Sequence, residues 1–245
     1  MTHQLAEMTW PEIQAVLDSD VRTVVVPTAS TEQHGPALPL SVDEIRGDAL
    51  GERVADELGC FLAPTVRPGI SDHHMDFPGT ITLTRETFEA VVTEYCESLD
   101  EHGFENIVLF TSHGGNTEAL DAVAERTDAD LDAHVFVAGT RDGFSEARYD
   151  SMAEHDVEPG VAGQHAGAAE TSFILETNPE LVHMDAAEAG YVGEVDGDAL
   201  MEEGLRSVTE NGVLGDQTAA TRAAGRTLID RCTAYYVEQV RKELA

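Results

Sequence analysis

Lysine is almost missing from this chain: Lys242 is the only lysine among 14 basic residues, set against 47 acidic residues and a net charge of -33. A surface of that sign attracts neither phosphate backbones nor anionic lipids, which excludes nucleic acid and acidic membranes as partners. Its self-repulsion is relieved by screening and reads as adaptation to concentrated salt. Long hydrophobic runs are missing too. No segment approaches the ~20 apolar residues of a membrane span, and no apolar signal-peptide run opens the chain, so the expected location is the cytoplasm. Cysteine is scarce, and Cys60, Cys96 and Cys232 are widely spaced without a C-x-x-C pair. That spacing indicates neither a disulfide framework nor a thiolate zinc site.

Apolar material is ample, at 42% of 245 residues, with no internal repeat, linker or low-complexity tract. Residues 1–245 therefore read as a single domain. Runs at 23–26, 60–63, 106–110 and 134–138 read as strands, the third being continuously apolar as in a buried parallel sheet. Helical spacing lies between them. Thr9 caps a short helix through Leu17, 48–58 carries Leu50, Val54 and Leu58 and stops at Gly59, and Thr84 opens a long helix ended by Gly103. Further helices are expected from about Thr117, from near His165 through Leu175, and over 218–244. The stretch 140–163 reads as irregular, suited to a lid or subunit contact, and 179–211 shows little periodicity. Strands alternating with helices predict a three-layer α/β/α sandwich with a mainly parallel central sheet.

Chemistry-bearing side chains gather where strands end, as ligand loops do in open α/β sheets. Glu32 and His34 follow the first strand in a proline-pinned loop that closes at Asp43, His113 follows the third strand, and Glu170 lies just beyond His165. A single acidic loop residue ordinarily faces water. Two imidazoles and three carboxylates converging on one place can hold two divalent ions if one carboxylate bridges them. Paired ions activate water and stabilise a tetrahedral oxyanion, which points to hydrolysis of a carbonyl or phosphoryl compound. The His113-Gly114-Gly115-Asn116 turn has no lysine and is weak evidence for a nucleotide. His73 and His74 are adjacent, and on an extended chain they point apart, so His74 alone is expected at the site.

Taken together, Ser30-Thr31-Glu32-Gln33-His34-Gly35-Pro36 with Asp43, Phe77-Pro78-Gly79-Thr80, His113-Gly114-Gly115-Asn116, His165-Ala166-Gly167 with Glu170, and Gly212-Val213 with Gly215-Asp216 resemble the successive motifs of the creatininase family. The resemblance runs from about residue 20 to residue 230. It implies a three-layer fold, a site for two zinc, manganese or iron ions, and a homo-oligomer, often a hexamer. By motif, Glu32 and His113 would bind one ion, His34 the other, and Asp43 both. His165 would be the catalytic histidine that hands a proton to the departing amide nitrogen. Two positions depart from the creatinine-hydrolysing members. Gly115 stands where they have a glutamate ligand, which moves that role to Glu170, and Val161 stands where they have a tryptophan; the sole tryptophan here is Trp10. The expected activity is hydrolysis of a small cyclic amide or formamide other than creatinine. Alternatives are deformylation of a pyrimidine nucleotide in archaeal flavin and deazaflavin synthesis, trimming of a peptide precursor, and a non-catalytic metal-binding scaffold.

Thermal unfolding followed from dilute buffer to molar KCl should show the melting temperature rising with salt; a flat response would contradict the halophilic reading.

Overall fold

The fold is given by a computed structural model that describes residues 3–195 and 197–245. In chain order the main elements are β1 (His3–Gln4), α1 (Trp10–Leu17), β2 (Thr23–Thr28), α2 (Val42–Leu58), β3 (Phe61–Leu62), α3 (Arg85–Glu101), β4 (Asn106–Thr111), α4 (Thr117–Asp130), β5 (His134–Val137), α5 (Arg141–Ala153), α6 (Pro159–Ala162), α7 (Ala168–Thr177), α8 (Gly197–Glu203) and α9 (Arg222–Glu243). The strands form one sheet in the order β1-β3-β2-β4-β5 with every pairing parallel. β2 and β4 are its centre, in register from Thr23 opposite Asn106 to Thr28 opposite Thr111.

Alternation along these strands divides the core into two layers. Val25, Leu62, Val108 and Phe110 face one way and pack with Leu50 and Val54 of α2, Phe173 of α7 and Leu228 and Ile229 of α9. Val24, Val26, Phe61, Ile107 and Leu109 face the other way, against Leu17 of α1, Phe88 and Val92 of α3 and Leu120 and Val123 of α4. Burial on both faces is why these strands read as continuous apolar runs. The result is the expected α/β/α sandwich.

The helix signals at Thr9, Gly59 and Thr84 act as expected. Thr9 N donates to the Glu12 carboxylate at 2.7 Å, Gly59 sits in the left-handed region at φ 65°, and the Thr84 hydroxyl accepts from Thr87 N. Elsewhere the boundaries move. The second helix begins at Val42 rather than residue 48, so Asp43 lies in its first turn and not in the preceding loop. The stretch expected to be irregular contains α5 and α6; Thr140 caps α5 by accepting from Gly143 N, and buried Arg148, Ser151 and Met152 give it an inner face that charge-rich composition hides. The helix after His165 starts at Ala168, because His165 pairs instead in a bridge with Leu214. The last helix starts at Arg222, capped by Thr221, with Gln217–Ala219 forming a separate 3-10 turn. β1 was not foreseen, since two residues show no period.

α9 lies directly on α7, and a Cβ at Gly225 would come within 2.0 Å of the Ser172 carbonyl oxygen. Gly225→Ala should therefore force the helices apart and cost about 1–3 kcal/mol in denaturant unfolding; an unchanged midpoint would contradict this packing.

Candidate active site

The topology opens one crevice. The chain leaves β2 toward β3 through α2 on one face and leaves β4 toward β5 through α4 on the other, so connections diverge between the two central strands. Ligands bind at such a divergence, beyond the strands' C-terminal ends. Glu32 and His34 follow β2 and His113 follows β4, while Asp43 and Glu170 occupy the first turns of α2 and α7. Helix N-termini favour these carboxylates. All five side chains are buried.

They meet as overlapping triplets, and Glu32 and His34 form a further one with His165. Glu32, Asp43 and His113 each bring a ligand atom within 4.8 Å of the others, as do His34, Asp43 and Glu170, so Asp43 belongs to both. Hydrogen bonds orient both imidazoles. His113 Nε2 lies 2.8 Å from the Ile70 carbonyl and donates to it, turning Nδ1 toward Glu32 Oε2 at 3.3 Å and Asp43 Oδ2 at 3.4 Å. His34 Nδ1 donates to the Glu32 carbonyl at 3.1 Å, which leaves Nε2 buried without a partner, 3.6 Å from Glu170 Oε2 and 3.8 Å from Asp43 Oδ1. A buried ring nitrogen without a hydrogen-bond partner, facing carboxylates across such gaps, leaves room and charge for a cation.

The electrostatics agree. Burial by itself would lower the His113 imidazole, yet the Glu32 and Asp43 carboxylates outweigh it and raise its pKa well above the ordinary value. Burial and the negative charge of Glu32 raise Asp43. Burial would also raise Glu32, but His113 and His74 hold it well below the carboxylate range. Without a metal, a proton on His113 stands where positive charge is wanted; a cation that binds there displaces it.

Arg46 supplies the remaining positive charge, a role that the sequence did not disclose. One turn after Asp43, its guanidinium bonds Asp43 Oδ1 at 3.2 Å, the Ser112 carbonyl at 3.1 Å, and Glu170. Burial pushes Glu170 up, but Arg46, with His34, His165 and the Ala166 N–H, outweighs it and holds Glu170 at about 2. Glu170 Oε2 also accepts from Ala166 N at 2.6 Å, and Ala166 stands in the left-handed region at φ 55°, which fixes the backbone beside His165.

His165 borders the cluster, its Nδ1 3.6 Å from Glu32 Oε1. Gln33 orders the surrounding rings. Its Oε1 accepts from Gly35 N, so its amide nitrogen is the donor toward His74 Nδ1 and the Gly212 carbonyl, while His165 Nε2 donates to the Gln33 carbonyl at 2.8 Å. Burial, together with His34, lowers His165 to about 4. It is neutral at pH 7. Both His73 and His74 reach the site, correcting the expectation of one. Their segment is a 3-10 turn rather than extended chain; His74 Nε2 lies 3.6 Å from Glu32 Oε1 and the His73 ring stacks parallel on His113. Gly115 has no room for a side chain, because a Cβ would lie 2.3 Å from the Ile70 carbonyl oxygen and 2.4 Å from His113 Nε2. A glutamate there would displace the ligand loop, so Glu170 is the acid that faces His34. A cleft of about 830 Å³ runs over His73, His74, His113 and His165, walled by Ile70, Leu200, Leu205 and Leu214.

A three-layer sandwich with buried acids and imidazoles at its central strand ends is an α/β fold carrying its polar site where such sheets place their ligands. More narrowly, this chain belongs to the creatininase family: the creatinine amidohydrolase family pattern matches residues 6–240, and its members hydrolyse carbon–nitrogen bonds. It is 32% identical over 235 residues to the mycofactocin precursor peptide peptidase of Mycobacterium ulcerans, covering 89% of this chain and 86% of that one. The creatinine amidohydrolase of Pseudomonas putida is 24% identical over 98% of this chain and 96% of its own length. A formylaminopyrimidine nucleotide deformylase of Methanobrevibacter smithii is 25% identical over 76% of this chain and 77% of its own length. Among solved structures, a zinc–zinc form of a creatininase mutant superposes with a TM-score of 0.82 at 24% identity over 99% of this chain and 98% of that one. No helix among the described residues is long and apolar enough to cross a membrane.

Arg46→Met leaves Asp43 and Glu170 buried without their counter-ion, which should destabilise the metal-free protein by about 3–5 kcal/mol. Urea unfolding in chelator measures this, and a loss below about 1 kcal/mol would show that the pair is not buried as described.

Proposed function

We propose that this amidohydrolase depends on two divalent cations, one held by Glu32, Asp43 and His113 and the other by His34, Asp43 and Glu170. The supporting observation is the sharing of Asp43 between two ligand triplets, with an orphaned His34 Nε2 aimed into the second. Such cations supply Lewis acidity and make water a nucleophile at neutral pH. Zinc, manganese and iron all suit this donor set.

In this mechanism the residues around the cluster handle protons and position. Neutral His165 cannot begin as an acid. It first takes a proton from the attacking water at Nδ1, since its Nε2 hydrogen is committed to the Gln33 carbonyl. The water oxygen bonds to the amide carbon, His165 returns the proton to the departing nitrogen, and the C–N bond breaks to give a carboxylic acid and an amine, which leave as carboxylate and ammonium once the acid's proton passes to the amine. Gln33 and Ala166 hold the imidazole in place while its charge changes.

The substrate is an open-chain amide of peptide type rather than creatinine. Two observations favour this. Val161 stands where creatinine-hydrolysing members carry tryptophan, and Trp10 is 79% exposed on α1 and lines none of this cleft. The relatives at 30% identity or above over most of the chain are peptide peptidases. Formamides and small cyclic amides form the second reading, and assembly into a homo-oligomer, a hexamer by family resemblance, goes with either.

Protein loaded with zinc, manganese or iron in high salt should hydrolyse short peptides faster than formamides or creatinine. His165→Ala should lose about 10²–10⁴-fold in kcat at unchanged metal content. Full turnover by that variant would remove His165 from the mechanism, and absence of hydrolysis and of bound metal would favour a scaffold.

A further inference from the structure

Beside the cluster lies a second cavity of about 520 Å³, bounded by Arg46, His113 and Glu170 on the site side and by Arg148, Tyr149 and Tyr236 opposite. It adjoins the catalytic cleft, because His113, Gly114, Thr117, Arg141 and Gln164 line both. Arg148 is 8% exposed and has no carboxylate within 4 Å among the described residues. Among the described residues its guanidinium makes one hydrogen bond, from Nη2 to the Tyr149 hydroxyl at 2.9 Å, and lies 4.6 Å over the Tyr149 ring, while its Nε hydrogen is buried without an acceptor. A buried guanidinium missing its counter-ion is costly in any protein. Here it is more unexpected, since acids outnumber bases 47 to 14. Arg46 already has its charge met by two carboxylates, Asp43 and Glu170, both on Nη1. Arg141, at the rim shared by both cavities, likewise lacks an acidic partner among the described residues.

We propose that this cavity is an anion subsite in which Arg148 receives a carboxylate of the substrate, so that the amide cleaved belongs to a molecule bearing a negative charge close to the scissile bond. A single planar guanidinium whose N–H groups are not all partnered matches a carboxylate. A phosphate dianion would call for a second buried donor, and among the lining residues the remaining buried arginine is Arg46, already paired. The charge also explains selection in a protein whose exterior repels acids: the substrate is admitted at an interior place where positive charge is unspent. The substrate assignment rests on the amidase reading, whereas the subsite itself can be tested without turnover.

Equilibrium binding to the full chain is measured for three probes: N-acetylleucine, its neutral amide, and N-acetylaspartic acid α-amide, which moves the carboxylate to a side chain. One carboxylate probe should bind about ten-fold or more tighter than the neutral amide, and the tighter of the two tells whether the chain terminus or an acidic side chain is read. In Arg148→Met the ratio of carboxylate to amide affinity should fall close to one, and in Arg148→Lys it should fall part of the way. Equal binding of all three probes to the wild type, as when a partner copy's acid already occupies the guanidinium, would overturn the proposal. So would a preference that survives Arg148→Met, or tighter binding of inorganic phosphate than of either carboxylate. If the probes discriminate but no metal-loaded enzyme cleaves an amide, the subsite stands and the amidase reading falls.

Discussion

Crowding of like charge is the constraint on which this molecule turns. Glu32, Asp43 and Glu170 are all buried, and Asp43 lies close enough to both of the others to share a ligand set with each. Unit charges ~4 Å apart repel by about 4 kcal/mol at an effective dielectric of ~20, and burial adds the cost of lost hydration. Two devices offset this in the protein alone. Arg46 bridges Asp43 and Glu170, and the His113 imidazole, raised by its acidic neighbours, takes a proton between Glu32 and Asp43. Neither reaches His34 Nε2, which has no hydrogen-bond partner among the described residues. A set of donors that the chain cannot itself satisfy is what a cation site looks like from within.

The scaffold serves that crowding. Parallel pairing of β2 with β4 sets the starting points of the two ligand loops side by side, and the divergence of α2 and α4 to opposite faces leaves the crevice open. Helix starts at Val42 and Ala168 add the favourable ends of two helix dipoles to Asp43 and Glu170. Around them the fit is close: Gly115 lets the Ile70 carbonyl hold His113, and Gly69 comes close under Ala29 and Asn116. Gln33, set between two of the clustered side chains in sequence, locks His74 and His165 through one amide and one carbonyl.

Much of this was legible before any coordinates. The three longer strands announce themselves by runs rich in β-branched residues and β3 by a short apolar run, and the converging residues could be read because each sits just past a strand or beside a helix start. Other features were hidden for physical reasons. Asp43 and Arg46 are three apart, a helical spacing, but Gly47 and Asp48 disguise the first turn of α2 as loop, so Arg46 was overlooked as the partner of Asp43. α5 was missed because its outer face is so charged that its few inward residues, Arg148 and Met152 among them, make a faint stripe. His73 was misjudged through an assumed extended backbone that is in fact a 3-10 turn. Gln33 and Ala166 could not be recognised at all, since their importance lies in hydrogen bonding and a positive φ that composition does not encode.

On the proposed reading the surface and the site are two solutions to one excess of acid: outside, the charge faces solvent, and inside, it is gathered where cations would neutralise it. The most direct measurement is anomalous diffraction at the metal edge from crystals of the metal-loaded protein. Two ions on a common ligand predict two peaks per chain on either side of Asp43, one bounded by Glu32 and His113 and the other by His34 and Glu170. A single peak, or ions that bind elsewhere and leave Asp43 and His34 untouched, would contradict it.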